Sequence, residues 1–537
     1  MKRVIAASSI VVVVALAALV PGSGRASSGA AGLPAGLAAA IHARLGAGAI
    51  RSSSAASSLD PSLGFSVALS ADGTTALVGA YGVAGGMGAA YIFHASDAGS
   101  WTSKSVPTAT LTGKHGTKFG FLGFAVALSA DGTTAFVGAP LTGNGLLGAG
   151  AIYVFHASAE DAWASSSTPK ATLTVGHGVL LVTGLALTPD GTTLVAGSPF
   201  SNNVAGGAFV FHASSESAWT STSTPVAALT YGGESPDDHS VGASVAISAD
   251  GTTALASDDS NPSGGGAFLY HVSAADAWAS STTPTAILSD SNSSNGDFLG
   301  GFLALSPDGT LAVLGTYAGT PQAGYADIFH SSGEAAWAST STPTATLLPP
   351  AGGSSGSDFG SRVAVSSDGM TVLVTAPGVS KGRGAAYIFR ASGEGAWASS
   401  STPTATLTNS GGHPNDELGL GVVLSADGAT ALVGAPFVDK GTGAVDVFHV
   451  AEESSWTSSS TPNATLTDKK LAACVVPRLK GLKLPAAKSA LAVGRCRLGK
   501  VTKVHSTRKR RGRVLSQNHK PRTRLAINAK VAVKVGK

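Results

Sequence analysis

The chain has 537 residues, of which 70 are glycine, 12 % are charged and 6 % are aromatic. This composition argues against a helical enzyme core and is typical of many short strands joined by glycine-rich turns. The net charge of +4 conceals two opposed parts. Residues 27–467 hold 11 basic and 30 acidic residues, whereas residues 468–537 hold 21 basic residues and the single acid Asp468.

Residues 1–26 predict a secretory signal peptide. Lys2 and Arg3 precede an uncharged apolar run over 4–20, and a small-residue cleavage site follows at 24–26. The 17 apolar residues nearly span a bilayer, so a retained membrane anchor is the alternative. After cleavage we expect no integral membrane segment, and an extracellular or wall-associated protein. Residues 27–58, rich in Ala, Gly and Ser, predict a flexible segment.

A repeat of about 59 residues occupies 59–467. Two markers share its count of seven and its period. The first is an Asp-Gly pair, at Asp72, Asp131, Asp190, Asp250, Asp308, Asp368 and Asp427. The second is the full set of tryptophans: Trp101, Trp163, Trp219, Trp278, Trp337, Trp397 and Trp456.

Each repeat contains four strand-like runs, which in the second repeat are 124–129, 133–139, 151–157 and 170–174. The first run alternates apolar and small residues with a period of two, and Asp131-Gly132 forms the hairpin turn after it. Seven such units predict a mainly β fold, a seven-bladed β-propeller of four-stranded blades. The hairpin recurs because every blade must present the same faces to its neighbours.

The repeat resembles the FG-GAP repeat of integrin-α-type propellers. The residues that carry the resemblance are Phe359-Gly360 and the Val-Gly-Ala-Pro segments at 137–140 and 433–436. Integrin-type blades often bind calcium through several acids in one turn, but each turn here has one carboxylate. A hard cation takes six to eight oxygens, so we expect neither metal nor cofactor at these turns. The resemblance is weak evidence about function because one fold serves many functions.

Histidine ends the third run in six repeats, and arginine replaces it in the seventh. These residues are His94, His156, His212, His271, His330, Arg390 and His449. A metal-binding or pH-sensing ring is one interpretation, and a strand-end residue copied with the blade is the one we favour. For the tryptophans, we favour packing between blades over an exposed sugar-binding ring.

Residues 468–537 form a second module, with a predicted strand, helix and further strands. It resembles the PASTA domain through Val476-Pro477, the helix-favouring 487–491, Leu498-Gly499-Lys500-Val501 and the Gly-x-Val-x-Ser-Gln motif at 512–517. We therefore expect a small, basic α+β domain. The resemblance implies a module that faces the cell wall, and many such domains are associated with peptidoglycan.

Two local features of this module predict specific chemistry. Cys474 and Cys496 are the only cysteines, and in an exported chain they predict a disulfide. The run at 506–513 predicts an anionic-polymer site, and its basic residues are Arg508, Lys509, Arg510, Arg511 and Arg513. Export argues against nucleic acid as the partner. Docking of the basic module on the acidic propeller is a further alternative.

Catalytic motifs are nearly absent from the sequence. The candidates are three acidic loop clusters, namely Asp258-Asp259, Asp237-Asp238-His239 and Asp416-Glu417. Paired carboxylates hydrolyse glycosides, but we expect these acids on the solvated surface. The sequence favours a non-enzymatic surface protein whose propeller binds an unidentified protein or glycan. A carbohydrate-active enzyme with a wall anchor and a purely structural protein remain the alternatives.

Overall fold

The structure is a computed structural model. It describes residues 60–537 except 114–119, 143–149, 176–181, 200, 202–205, 234–238, 260–263, 295–296, 317–323, 351–355, 472, 495, 508–509 and 527–528. The predicted signal peptide and the whole of the predicted flexible segment 27–58 lie outside the described residues. Among the described residues, no helix is long and apolar enough to cross a membrane.

The repeat region forms seven four-stranded sheets, here called blades one to seven in chain order. Within each blade, four consecutive strands pair antiparallel in sequence order. The strands are β1 (Val67–Leu69), β2 (Thr75–Ala80), β3 (Ala89–His94), β4 (Ala109–Leu111), β5 (Val126–Leu128), β6 (Thr134–Ala139), β7 (Ala151–His156), β8 (Ala171–Leu173), β9 (Gly184–Leu187), β10 (Thr193–Gly197), β11 (Ala208–His212), β12 (Ala227–Leu229), β13 (Val241–Ile247), β14 (Thr253–Asp258), β15 (Ala267–His271), β16 (Ala286–Leu288), β17 (Phe302–Leu305), β18 (Leu311–Gly315), β19 (Ala326–His330), β20 (Ala345–Leu347), β21 (Val363–Val365), β22 (Thr371–Thr375), β23 (Ala386–Arg390), β24 (Ala405–Leu407), β25 (Gly421–Leu424), β26 (Thr430–Ala435), β27 (Ala444–His449) and β28 (Ala464–Leu466).

The blades close into a ring. The first strand of each blade contacts the first strand of the next, and β25 of blade seven contacts β1 of blade one. The first strands therefore surround the axis. This arrangement confirms the seven-bladed propeller, and the four runs predicted in the second repeat correspond to β5, β6, β7 and β8.

The recurring glycine before each first strand permits close approach of neighbouring blades. Gly123 has a φ of +85°, and a Cβ there would overlap the carbonyl oxygen of Ala89 in the preceding blade. Any other residue is therefore disfavoured at this position, both because of the positive φ and because its Cβ would overlap the neighbouring backbone. Blade three departs from the pattern with Val182, whose side chain is fully buried.

The Ser/Thr-rich stretch after each tryptophan covers the outer edge of the preceding blade. In blade two, the Ser166 segment forms a parallel bridge to Leu111 at the end of β4. The Ser165 hydroxyl also accepts a hydrogen bond from the Thr110 amide at 3.0 Å. An equivalent bridge, Lys104 to Leu466, joins blade one to blade seven. Each outer strand thus has its exposed edge partly paired, as stable sheets require.

The propeller also contains short helical turns, whereas the sequence predicted strands alone. Three four-residue helices are α1 (Val83–Gly86), α2 (Val379–Gly382) and α3 (Val438–Gly441). Single 3₁₀ turns precede six of the tryptophans, at Ala98–Ser100, Glu160–Ala162, Glu216–Ala218, Glu334–Ala336, Glu394–Ala396 and Glu453–Ser455. These turns direct the chain so that the tryptophan enters the interface between blades.

The C-terminal region is a small α+β unit. Its elements are β29 (Ala473–Val475), α4 (Leu484–Val493), β30 (Arg497–Val504), β31 (Val514–Gln517), β32 (Arg524–Ala526) and β33 (Lys530–Gly536). β33 lies between β30, to which it is parallel, and β31, to which it is antiparallel. β29 pairs with β32 in a separate ribbon. Leu479, Ala487, Leu491 and Val531 belong to a core of its own.

Candidate functional site

The Asp-Gly turns are stabilised from within. In blade one, Asp72 Oδ1 accepts hydrogen bonds from the Ser70 hydroxyl at 2.6 Å and the Thr74 amide at 3.0 Å. The Ser70 hydroxyl oxygen accepts one from the Thr75 amide at 2.9 Å. Burial disfavours the charged carboxylate, but these hydrogen bonds outweigh it and lower the pKa of Asp72. The aspartate is therefore a turn residue.

These turns meet at one end of the propeller, which we call the turn face. The Ala71 amide donates to the Ala130 carbonyl of the next blade at 2.8 Å, and the Ala426 amide donates to the Ala71 carbonyl at 3.3 Å. The equivalent positions in blades three and five are Pro189 and Pro307. Proline has no N–H, so it accepts from the preceding blade and donates to none.

A glutamate links turns of adjacent blades. It lies three residues before the tryptophan in five blades, as Glu160, Glu216, Glu334, Glu394 and Glu453, whereas blades one and four have alanine there. Glu160 Oε1 accepts a hydrogen bond from the Thr74 hydroxyl of blade one at 2.7 Å. Burial raises the pKa values of Glu394 and Glu453. We did not predict this linking role from the sequence, although the fixed spacing of the glutamates from tryptophan is visible there.

The recurring histidines do not converge. His94 Nδ1 lies 2.8 Å from the Thr75 hydroxyl of its own blade, and four other histidines repeat the contact. Arg390 substitutes for histidine by donating from Nε to the Thr371 hydroxyl at 3.0 Å. Within the described part of the chain, no three His, Cys, Asp or Glu side chains are grouped to hold a metal. The histidines belong to the strand ends.

A depression of about 340 Å³ opens on the turn face between blades six and seven. Its walls include Asp368, Asp427 and the ion pair between Arg390 and Glu453, whose Nη2 and Oε1 atoms are 2.6 Å apart. Because Glu453 compensates the charge of Arg390, the depression presents mainly acidic groups to solvent.

The tryptophans pack between blades. All seven are buried, with at most 7 % of each residue exposed. Trp219 of blade three lies edge-on to Phe136 of blade two, with ring centroids 5.1 Å apart. Each indole Nε1 donates to the carbonyl of the glycine in its Asp-Gly turn, at 2.8 Å from Trp219 to Gly191. No indole face is available for stacking on a sugar.

In the acidic loop clusters, Asp258, Asp259 and Asp416 are buried and Glu417 is half-buried, so the expectation of solvated surface acids was wrong. Asp258 ends β14, is 1 % exposed, and its Oδ2 lies 2.7 Å from His239 Nδ1. Asp259 is also buried, and Asp416 accepts a hydrogen bond from the His413 amide at 2.6 Å. Asp237 and Asp238 lie outside the described residues.

Glu417 follows Asp416 in the chain, and burial raises the pKa of its carboxyl. Glu417 has a φ of +54°, and Asp358 of the preceding blade has one of +55°. Burial, and then the charge of Glu417, raises the pKa of Asp358 to about 7. These acids line the joints between blades, where they fix loop conformation.

The C-terminal unit has a wholly exposed set of cations. Every lysine and arginine of 469–537 that the structure describes is exposed, and none of them forms an ion pair with a described acid. On β33, exposed Lys530 and Lys534 alternate with buried Val531 and Val533. Lys530 is the register partner of Arg497 on β30. One sheet face therefore carries clustered positive charge.

The predicted arginine run is only partly described. Arg510, Arg511 and Arg513 are exposed, whereas Arg508 and Lys509 lie outside the described residues. Arg513 Nη1 donates to the Gly481 carbonyl at 3.0 Å, which fixes that guanidinium against the loop before α4.

Cys474 and Cys496 form the predicted disulfide. The bond connects β29 to the residue that precedes β30 and lies within the core of the C-terminal unit. It therefore fixes the position from which the basic sheet begins.

Comparison with known proteins adds little to this description. No family model matches the chain, and no curated protein matches it. Among solved structures, the chain is similar to hydrazine synthase of Kuenenia stuttgartiensis, with 15 % identity, a TM-score of 0.47, and coverage of 75 % of this chain and 99 % of that one. The fold rests on the strand pairing above, and this similarity carries no argument about function.

Proposed function

We propose that the chain is an exported, non-enzymatic binding protein of the cell surface. Its C-terminal unit associates with an anionic polymer of the cell wall, and its propeller presents a protein or glycan ligand-binding face. One observation carries the proposal: 21 basic residues against one acid in 468–537, all exposed where described. Phosphate- and carboxylate-rich polymers attract such a surface, whereas the acidic propeller repels them.

The family resemblances support the wall as the partner. The PASTA-like motif 512–517 includes β31, and Gln517 Oε1 accepts a hydrogen bond from the Leu479 amide at 2.7 Å. Gln517 Nε2 also donates to the Pro477 carbonyl at 2.9 Å, so the motif connects the sheet to the Val-Pro segment at 476–477. The FG-GAP-like repeat likewise suits a surface protein. Both resemblances, and export through residues 1–26, are part of the proposal.

The test is co-sedimentation of the full chain with purified Gram-positive sacculi, either intact or stripped of their anionic polymers, across a salt series. We expect binding to intact sacculi that weakens as salt shortens the screening length to about 8 Å at physiological ionic strength. Binding that persists on stripped sacculi would identify peptidoglycan itself as the ligand. A chain that sediments with neither preparation would contradict the proposal.

Charge-reversal variants locate the surface. We expect Lys530→Glu/Lys534→Glu and Arg510→Glu/Arg511→Glu each to reduce retention, because each reverses two exposed cations. The matched control is Lys170→Glu/Arg383→Glu, which reverses two exposed cations of the propeller. Equal loss in the control would show that retention follows only net charge. Turnover of glycan substrates that is lost in Asp258→Asn/Asp259→Asn would favour the enzymatic alternative.

A further inference from the structure

Two loops that connect blades have the same length and, at the residues that are described in both, the same backbone hydrogen bonds. Residues 289–299 connect blade four to blade five, and 408–418 connect blade six to blade seven. At the second position, Asp290 Oδ1 accepts a hydrogen bond from the Asn292 amide at 2.8 Å. Asn409 Oδ1 accepts one from the Gly411 amide at 2.9 Å. The two side chains therefore have the same orientation relative to their loops.

An aspartate of the next blade faces each of these side chains. In blade seven, Asp446 Oδ1 accepts from the Thr465 hydroxyl at 2.8 Å, and Asp446 Oδ2 accepts from Asn409 Nδ2 at 2.7 Å. In blade five, Asp327 Oδ1 accepts from the Thr346 hydroxyl at 2.7 Å in the same way. The second oxygen of Asp327 has no hydrogen-bond partner, and the charge of Asp290 acts on this carboxyl. Asp290 offers no N–H at the position from which Asn409 donates its amide in the sibling loop.

The result is a buried site without its neutralising group. Asp327 Oδ2 is buried without a hydrogen-bond partner, and Tyr325, whose hydroxyl interacts with the Ser293 side chain, is only 7 % exposed. Asp290 and Asp297 are also buried, and after burial itself their charges help to raise the pKa of Tyr325. No described lysine, arginine or histidine forms an ion pair with any of these acids.

Such an arrangement is costly as it stands. Uncompensated carboxylates in a protein interior lose favourable hydration that nothing replaces. Burial raises the pKa of Asp327 to about 7, the Thr346 hydrogen bond opposes this, and the charge of Asp290 adds to it. A cation beside Asp327 Oδ2 would supply the compensating positive charge that no described ion pair provides.

We propose that Asp290 and Asp327 bind a hard divalent cation of the Ca²⁺ class, which occupies the place that the Asn409 amide fills in the sibling loop. The donor set is entirely oxygen: two carboxylates, the Tyr325 hydroxyl and, beside them, Asp297. Hard cations select such ligands, in sets of six to eight that include water.

The site is a weak one. Because no three described carboxylates already surround a single point, water completes the coordination. We therefore expect a dissociation constant on the order of 10⁻⁴–10⁻³ M, the range of extracellular modules. The site is separate from the Asp-Gly turns and does not depend on wall binding by the C-terminal unit.

The experiment measures thermal unfolding of the full chain in EDTA, in Mg²⁺ and in Ca²⁺ at about ten times the expected dissociation constant. We expect Ca²⁺ to raise the Tm by about 1–3 °C. Asp290→Asn copies the sibling pair, so it should fold, have a higher Tm in EDTA, and lose the response to Ca²⁺. Asn409→Asp places the same carboxylate pair in the sibling loop, although Ala444 stands there in place of Tyr325, so the response should increase.

Tb³⁺ luminescence gives a second readout. Tyr325 would sensitise the emission of a bound Tb³⁺, and Ca²⁺ should displace it. The component of emission that Asp290→Asn removes should also be lost in Tyr325→Phe. An unchanged Ca²⁺ response in Asp290→Asn would overturn the proposal. It would also be overturned if wild-type protein gained stability only from acidification, since the pair would then share a proton.

Discussion

Each tryptophan of the repeat combines one hydrogen bond with packing against another blade. The indole N–H satisfies a buried carbonyl of the Asp-Gly turn, and the ring fills the interface. At Trp219 the two contacts are Gly191 and Phe136. The residue therefore couples the turn of one blade to the sheet of its neighbour.

Trp219→Phe should destabilise the propeller. The phenyl ring keeps part of the apolar contact but leaves the Gly191 carbonyl without its donor, which costs about 1–3 kcal/mol in the free energy of unfolding. Urea unfolding measures the loss in the free energy of unfolding, and hydrogen exchange in blades two and three locates it. The control is Val226→Ala, since Val226 is 46 % exposed and should change stability by less than about 0.5 kcal/mol. Equal effects of both variants would contradict the argument.

We expect the free energy of unfolding to depend on pH through the carboxyl of Asp358, in a direction that its pKa determines. Its folded pKa, about 7, lies above the ordinary value of 3.8. The native state therefore binds more protons than the unfolded state between those values, and stability falls as pH rises through this window. In Asp358→Asn the titration is absent and the φ of +55° is retained, since asparagine tolerates that region.

The measurement is the free energy of unfolding from pH 4 to 8, with both proteins in EDTA. We expect the difference between variant and wild type to change by on the order of 2 kcal/mol in favour of the variant as pH rises. Parallel curves for the two proteins would show that Asp358 does not titrate differently in the folded state.

At the scale of elements, the strands and helices that are determined by local sequence patterns could be predicted from the sequence. Period-two alternation and Asp-Gly turns located the blade strands, and the helix-favouring run at 487–491 lies within α4. β32 was missed because its three residues, Arg524–Ala526, have no pattern of their own and pair only with distant β29. The edge pairing of the Ser/Thr-rich stretches was missed because it depends on the neighbouring blade.

The disulfide should stabilise the C-terminal unit alone. It closes a loop with a sequence separation of 22, for which restriction of the unfolded chain predicts about 3 kcal/mol. In Cys474→Ser/Cys496→Ser, hydrogen exchange should accelerate in α4 and β33 and remain unchanged in the propeller. Treatment of wild-type protein with reductant should reproduce the effect. Faster exchange across the blades would contradict an independent core.

The candidate sites were less predictable than the fold. The disulfide followed from composition and context, and the exposed cations followed from charge. The Asp290–Asp327 pair was invisible in the sequence because its members lie 37 positions apart and meet only when blades four and five pack. The burial of Asp258 and Asp416 was missed because charged loop residues are usually solvated.

At the scale of the molecule, the ring has one interface that no peptide connection spans. Six interfaces join blades that follow each other in the chain, and the seventh joins blade seven to blade one. Leu466 at this closing interface and Leu111 between blades one and two are both fully buried and occupy equivalent positions. Their chemistry is the same, and only the chain connection differs.

Leu466→Ala should therefore perturb the ring more than Leu111→Ala. Each substitution removes the same buried atoms and costs about 2–5 kcal/mol. At the closing interface, however, no linking chain keeps the separated blades together. Hydrogen exchange should show joint loss of protection in β1 and β25 for Leu466→Ala, with a smaller and local effect for Leu111→Ala. Identical exchange maps would show that connection does not matter.

The closing interface also determines where the molecule yields under tension. The segment that leaves blade seven lies along blade one, where the Thr467 amide donates to the Lys104 carbonyl at 2.8 Å and the Lys469 amide to the Ser105 carbonyl at 2.9 Å. The basic unit follows directly. If that unit is held and the propeller is pulled away, the load falls first on these bonds. They would break one at a time, so the ring would open at its own end while the sheets of the individual blades stay paired.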